Sequence, residues 1–164
     1  MTLIAALKLH DVPILLGDLL ISSPHSDTSH AKLPTLLSQE VDQVLPRDEY
    51  YPIVRGLQRK VARINDWLVV AWAGNLIAAK VVLKKMVERF KSKRVPREKV
   101  FTFLSQVDDL GTIECTIIGW LADKTGIVSF SWNSATRHLS VDEGPYIEGS
   151  GKQDFEKNVL GMHV

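Results

Sequence analysis

The sequence predicts an α+β fold, and three features carry that expectation. Two hairpin patterns of aliphatic and β-branched residues fill its first part, two helical periodicities occupy the middle, and a three-strand meander followed by a helix closes it. Strands and helices grouped in this order suit sheets packed against helices. The chain has 164 residues, which at ~100–200 residues per domain predicts one domain over residues 1–164. With 45% hydrophobic and 24% charged residues it can bury enough apolar surface to fold.

Residues 2–9 and 13–22 are apolar runs separated by turn chemistry at His10, Asp11 and Val12, a hairpin expected to be buried on both faces. Residues 23–52 change character, with a small polar stretch, then Pro34, Pro46 and Pro52. This reads as a long surface excursion with a short helix at 36–44. Alternation over 58–64 and the run of 67–73 predict a second hairpin turning at Asn65 and Asp66. Gly74 ends that strand, and Asn75 caps a helix whose apolar positions are Leu76, Ala79, Leu83, Met86, Val87 and Phe90. Pro96 starts a second helix at a favourable first-turn position. Residues 114–122, 127–132 and 137–141 predict the meander, turning at 123–126 and 133–135. A closing helix follows at 152–160.

The charge balance, 20 Lys and Arg against 19 Asp and Glu, removes the electrostatic motive for binding nucleic acid or an anionic membrane surface. The longest apolar run, 12–21, is interrupted by Asp18 and falls short of a membrane span. A single cysteine, Cys115, forms no internal disulfide and is expected to be buried and inert. With no leader pattern in residues 1–9, the expected setting is reducing and cytoplasmic. His25, Asp27 and His30 read as solvated loop residues rather than metal ligands. Residues 149–152 fail the phosphate-loop pattern, because Tyr146 stands where glycine is needed and Gln153 replaces Ser or Thr. The basic stretch 84–97 reads as a solvated helix face. Trp67, Trp72, Trp120 and Trp132 are expected to pack within strands. No metal and no cofactor is expected.

Four features line up beyond this. Thr2 follows the initiator Met1, Gly17-Asp18 ends the second strand pattern, Lys60 lies in Arg59-Lys60-Val61-Ala62-Arg63-Ile64, and Ala73-Gly74-Asn75 joins strand to helix. Taken singly, each is an ordinary strand or turn residue. In this order they resemble the proteasome β-subunit family of N-terminal nucleophile hydrolases, most closely its simplest bacterial branch, the HslV-type protease subunit. Counting from Thr2, Asp18 falls at the family's aspartate without a gap, and 126–151 resembles the family's meander ending in Gly-Ser-Gly. Residues 23–56 are an insertion relative to that pattern. The family's C-terminal helix and closing strands, with another aspartate and serine, are not in the sequence, which stops at Val164. Leu19-Leu20-Ile21 is greasier than the family's substrate wall.

The resemblance implies a four-layer αββα sandwich with a short C-terminal end, and a threonine-type peptidase. Once Met1 is removed, as expected before a small residue, Thr2 supplies both the hydroxyl nucleophile and the terminal amine, whose ordinary pKa of ~7.7–8.0 suits a base. Lys60 would keep that amine neutral and favour an alkoxide, with Asp18 holding Lys60. The Gly74 N–H would stabilise an oxyanion. Ser150 matches the family's accessory serine, and Ser22 lies where the family holds extended peptide on a strand edge. The expected substrate is a peptide or small amide, and the expected assembly is a homo-oligomeric ring, with no ATPase partner specified. Two alternatives stay open: a non-catalytic assembly subunit, and a small-amide hydrolase with 23–56 as a specificity lid.

Overall fold

Between His10 and Asp11 the backbone takes positive φ at both residues, 47° and 65°. That twist matches two adjacent antiparallel strands, and it folds β1 (Ile4–Leu9) onto β2 (Val12–Gly17) in the register Ile4 to Gly17. This computed structural model describes residues 2–23, 53–92, 94–107, 110, 113–142 and 144–161, and for 20–23 and 53–57 the backbone only. The helix expected at 36–44 and the residues His25, Asp27 and His30 lie outside the described residues.

The first hairpin is not buried on both faces. Ile4, Ala5 and Ala6 are fully buried, but Leu9 and Val12 at the turn are 56% and 58% exposed. The run expected at 13–22 also breaks after Gly17. Asp18 turns its N–H to the Leu3 carbonyl and its carboxylate inward, and a separate strand β3 (Leu20–Ser23) pairs with β4 (Ile53–Leu57) across a bulge between Ile21 and Ser22. The excursion is thus bracketed by a two-stranded ribbon.

Five strands form an antiparallel meander, β5 (Val61–Asn65), β6 (Leu68–Gly74), β7 (Cys115–Asp123), β8 (Gly126–Asn133) and β9 (Leu139–Val141), in that order. β5 starts later than the alternation of 58–64 suggests, so Lys60 stands just before the strand. Trp67 sits in the β5–β6 turn, exposed and covered by the Arg94 guanidinium at 4.3 Å, rather than packed in a strand.

Asn75 caps α1 (Leu76–Phe90), its Oδ1 accepting from the Ile77 and Ala78 N–H groups. The buried stripe is Ala78, Ala79, Val82, Met86 and Phe90. It is rotated from the expected one, leaving Val87 exposed and Ile77 65% exposed. Pro96 is the N-cap of α2 (Arg97–Ser105), whose Phe103 meets Phe90 edge to face. Period-two alternation divides the meander's side chains. Val70, Trp72, Ile117, Phe130 and Trp132 join α1 and α2 in one core. Ala71, Ala73, Ile118 and Trp120 pack instead against Ile4 and Ala6 of β1. The layers therefore run helix, sheet, sheet, and the Trp120 indole ties the two sheets by donating to the Ile14 carbonyl at 2.9 Å.

Beyond the meander, Tyr146–Glu148 forms β10, which the sequence pattern does not announce. It completes a three-stranded sheet in the order β10-β1-β2, and α3 (Lys152–Asn158) follows. Among the described residues the fold is mixed α+β, with antiparallel sheets and three helices, and no helix is long and apolar enough to cross a membrane.

At the β7–β8 turn Asp123 accepts from Thr125 and from two nitrogens of Arg97, at 2.8 and 2.9 Å. The Arg97 guanidinium first, then the Thr125 hydroxyl, holds the Asp123 carboxyl far below the usual carboxylate range. A carboxyl depressed in the folded state adds stability that is full above its unfolded pKa of ~3.9 and is lost as pH falls towards the folded value. Thermal unfolding should show Asp123→Asn less stable than wild type at pH 7, with the gap closing below about pH 4. A gap constant down to pH 2 would contradict this.

Candidate active site

Thr2 is fixed from three directions. Its Oγ1 accepts from Lys60 Nζ at 3.1 Å, its N–H donates to Ser150 Oγ at 2.8 Å, and its carbonyl accepts from the Gly151 N–H at 3.1 Å. Lys60 is only 2% exposed, and Asp18 Oδ1 lies 2.6 Å from its Nζ. The other carboxylate oxygen, Oδ2, accepts from the Leu3 N–H at 2.8 Å. Among the described residues no aligned hydrogen bond reaches Oδ1, and its contact with Lys60 is one of charge. A buried ammonium needs such a partner, because water no longer solvates it.

Local structure explains the convergence. Pairing Ile4 with Gly17 puts residue 3 opposite residue 18, and the Asp18 N–H closes that pair on the Leu3 carbonyl at 2.9 Å. A Cβ on Gly17 would lie 3.0 Å from Val61 Cγ2 and 3.3 Å from Lys60 Cβ, so the missing side chain lets the start of β5 approach β2. Trp72 then fixes Lys60 from the adjacent strand. Its N–H donates to the Lys60 carbonyl at 3.0 Å, its indole N–H to the Arg59 carbonyl at 3.3 Å, and Lys60 Nζ lies 5.7 Å from its ring centroid.

Ser150 arrives through the pairing of Ile4 with Glu148, which carries the chain leaving β10 across Thr2. Gly149 makes that crossing possible. Its φ is 107°, and a Cβ there would stand 2.1 Å from the Thr2 carbonyl oxygen, a distance no side chain tolerates. Gly149→Ala should therefore cost about 1–3 kcal/mol in denaturant unfolding. Unchanged stability would contradict the close approach.

The structure thus brings together Thr2, Asp18, Lys60 and Ser150. Gly74 ends β6 directly after Ala73, which packs in the same cluster as Ile4. Its φ of 90° and the 2.7 Å that would separate an added Cβ from the Glu114 carbonyl oxygen require glycine there. Ser22 lies on β3 opposite Val54, beside the bulge. Sequence reasoning missed the parts played by Gly17, Gly149, Gly151 and Trp72. The Gly-Ser-Gly at 149–151 is the one legible signal of close backbone approach.

Cys115 is buried, and that burial pushes its thiol up to about 11, so it is protonated and unreactive at neutral pH. Among the described residues no group of three or more His, Cys, Asp or Glu is placed to hold a metal ion. No protein-family model and no curated protein sequence matches this chain.

Proposed function

We propose that this chain is a threonine-type amide hydrolase of the N-terminal nucleophile kind, related to proteasome β subunits, with peptide as its substrate. The observation that carries the reading is the position of the buried Lys60 Nζ, 3.1 Å from Thr2 Oγ1 and 2.6 Å from Asp18 Oδ1. The hydroxyl helps to satisfy the buried ammonium, and the same contact sets a cation where alkoxide charge would develop on a nucleophile.

Removal of Met1 leaves Thr2 with a free amine beside its own hydroxyl. The amine accepts the hydroxyl proton as Oγ1 attacks the substrate carbonyl, while Lys60 favours the developing charge and Asp18 keeps Lys60 in place. The Gly74 N–H, just before α1, serves the oxyanion of the tetrahedral intermediate. Its collapse expels the substrate amine, which takes the proton, and leaves an ester on Thr2 that water hydrolyses. Ser150, the acceptor from Thr2 N at 2.8 Å, orients the terminal amine. The bulged β3 edge near Ser22 holds extended peptide.

In this reading the helix–sheet–sheet layers are three of an αββα sandwich, and copies of the chain assemble in a ring. A fluorogenic peptide amide tests the activity. The chain beginning at Thr2 should release the fluorophore and the same chain retaining Met1 should not. Equal turnover by both, or none by either, would sink the proposal.

A further inference from the structure

The whole-chain charge balance, which argues against a nucleic-acid partner, conceals a separation of charge. Residues 80–99 hold nine of the chain's 20 cations and two of its 19 carboxylates, so the helix layer is strongly basic and the remainder is net acidic. Folding sets where those cations point. Because Ala78, Ala79, Val82, Met86 and Phe90 turn the apolar stripe of α1 onto the sheet, the helical period turns Lys80, Lys84 and Lys91 outward together. All three are exposed. At ~1.5 Å per residue they span about 16 Å along the helix.

Lys85 and Arg89 form a second row beside the first. They line a groove of about 330 Å³ between α1 and α2, with Glu88 and Gln106, and the Arg89 guanidinium stands 5.6 Å from the Phe103 ring centroid. Arg94 and Lys99, both exposed, extend the face beyond the end of α1. The two carboxylates are Glu88 and Glu98, and Glu88 lies 4.0 Å from Lys84 in an exposed pair that offsets little. Among the described residues Lys80, Arg89, Lys91 and Lys99 have no carboxylate within ion-pair distance.

We propose that this α1–α2 face binds the phosphate backbone of a nucleic-acid duplex, without sequence preference. A second copy of the chain seated by the same face would meet like charge. A protein partner is met through aromatic and apolar anchors on a surface depleted in lysine, whereas here lysine dominates and Phe90 and Phe103 are buried. A membrane-surface helix must turn its apolar face into lipid, and α1 commits that face to the sheet. With both rings buried, the face also lacks the stacking platform that single strands use. What it presents is a rigid track of cations, which suits the evenly spaced phosphates of a duplex.

Fluorescence anisotropy of a labelled DNA duplex of about 20 base pairs, titrated with the full chain, reads both affinity and salt dependence. Neutralising about four phosphates predicts a slope of about −3.6 in log K against log salt, a fall of roughly 150-fold between about 50 and 200 mM. Lys84→Gln with Lys91→Gln should weaken binding alike for duplexes of different sequence and reduce the magnitude of the slope by about two. Lys8→Gln with Lys157→Gln removes the same total charge from exposed sites on β1 and α3, and should change affinity by less than about twofold. Polyglutamate of the same total charge should bind at least ~10-fold more weakly, because its charge is less dense and its chain must be ordered. None of these lysines belongs to the Thr2 site, so the result is independent of any hydrolysis there. No duplex binding at the lower salt, a slope near zero, a slope unchanged in the Lys84 and Lys91 variant, an equal loss in the Lys8 and Lys157 variant, or polyglutamate binding as tight as the duplex would each overturn the proposal.

Discussion

Thr2→Ala, in a chain beginning at residue 2, should abolish peptide hydrolysis, lowering kcat by about 10³-fold or more. In the proposed reading the hydroxyl, which accepts the 3.1 Å bond from Lys60, is the attacking atom, so alanine would remove the nucleophile and leave the base with nothing to deprotonate. Thr2→Ser keeps the hydroxyl and should retain part of the activity, losing the methyl group that restricts the rotamer. The fold should survive both changes. One hydrogen bond is lost in the alanine variant, worth about 0.5–1.5 kcal/mol. Unchanged fluorophore release by Thr2→Ala would rule out Thr2 as the nucleophile.

Lys60→Met should have the second-largest effect, and on two quantities. Activity falls to background because no cation faces the alkoxide. Stability falls by about 3 kcal/mol, since the Asp18 carboxylate, about one-fifth exposed, is left without its partner in a partly desolvated site. Adding Asp18→Asn separates the two effects. The double variant should recover most of the lost stability, because no unpaired charge remains, yet none of the activity. Denaturant unfolding beside the fluorogenic assay reads both. Recovery of activity in the double variant would assign Lys60 a purely structural role.

Local chemistry made much of the fold legible in the sequence. The Asn75 cap, the Pro96 start and the β7–β8 turn are set by residues that act on their own neighbourhood, and each lies close to its expected place. What depended on distant partners was not legible. Three residues of β10 carry no periodicity, and only their pairing with β1 makes them a strand. The run 13–22 splits because Asp18 is drawn to Lys60, 42 positions away, which hydropathy alone does not register. The face of α1 is rotated because Ala78 and Val82, small enough for close packing on the sheet, displace Leu76 and Leu83 to its margin.

The site divides in the same way. Thr2, Asp18 and Lys60 were legible through the family resemblance, and a hairpin register with one more strand brings them together. Glycine at 149 was visible, but its reason, a carbonyl oxygen 147 positions earlier in the chain, is a property of the folded chain. Trp72 looked like an ordinary strand tryptophan, and it proves to hold the Lys60 segment through its two N–H groups.

The central claim is that Thr2 Oγ1 is a nucleophile activated by its own amine and by Lys60. Intact-mass and fragment-mass analysis after treatment with a peptidyl β-lactone tests it most directly. Ring opening acylates a reactive hydroxyl and adds the whole reagent as an ester, with no leaving group. The account predicts one equivalent of reagent on Thr2 in the chain beginning there, and none in the Met1-retaining, Thr2→Ala or Lys60→Met chains. An unmodified Thr2, or labelling that persists at the same level without the Thr2 hydroxyl, would contradict it.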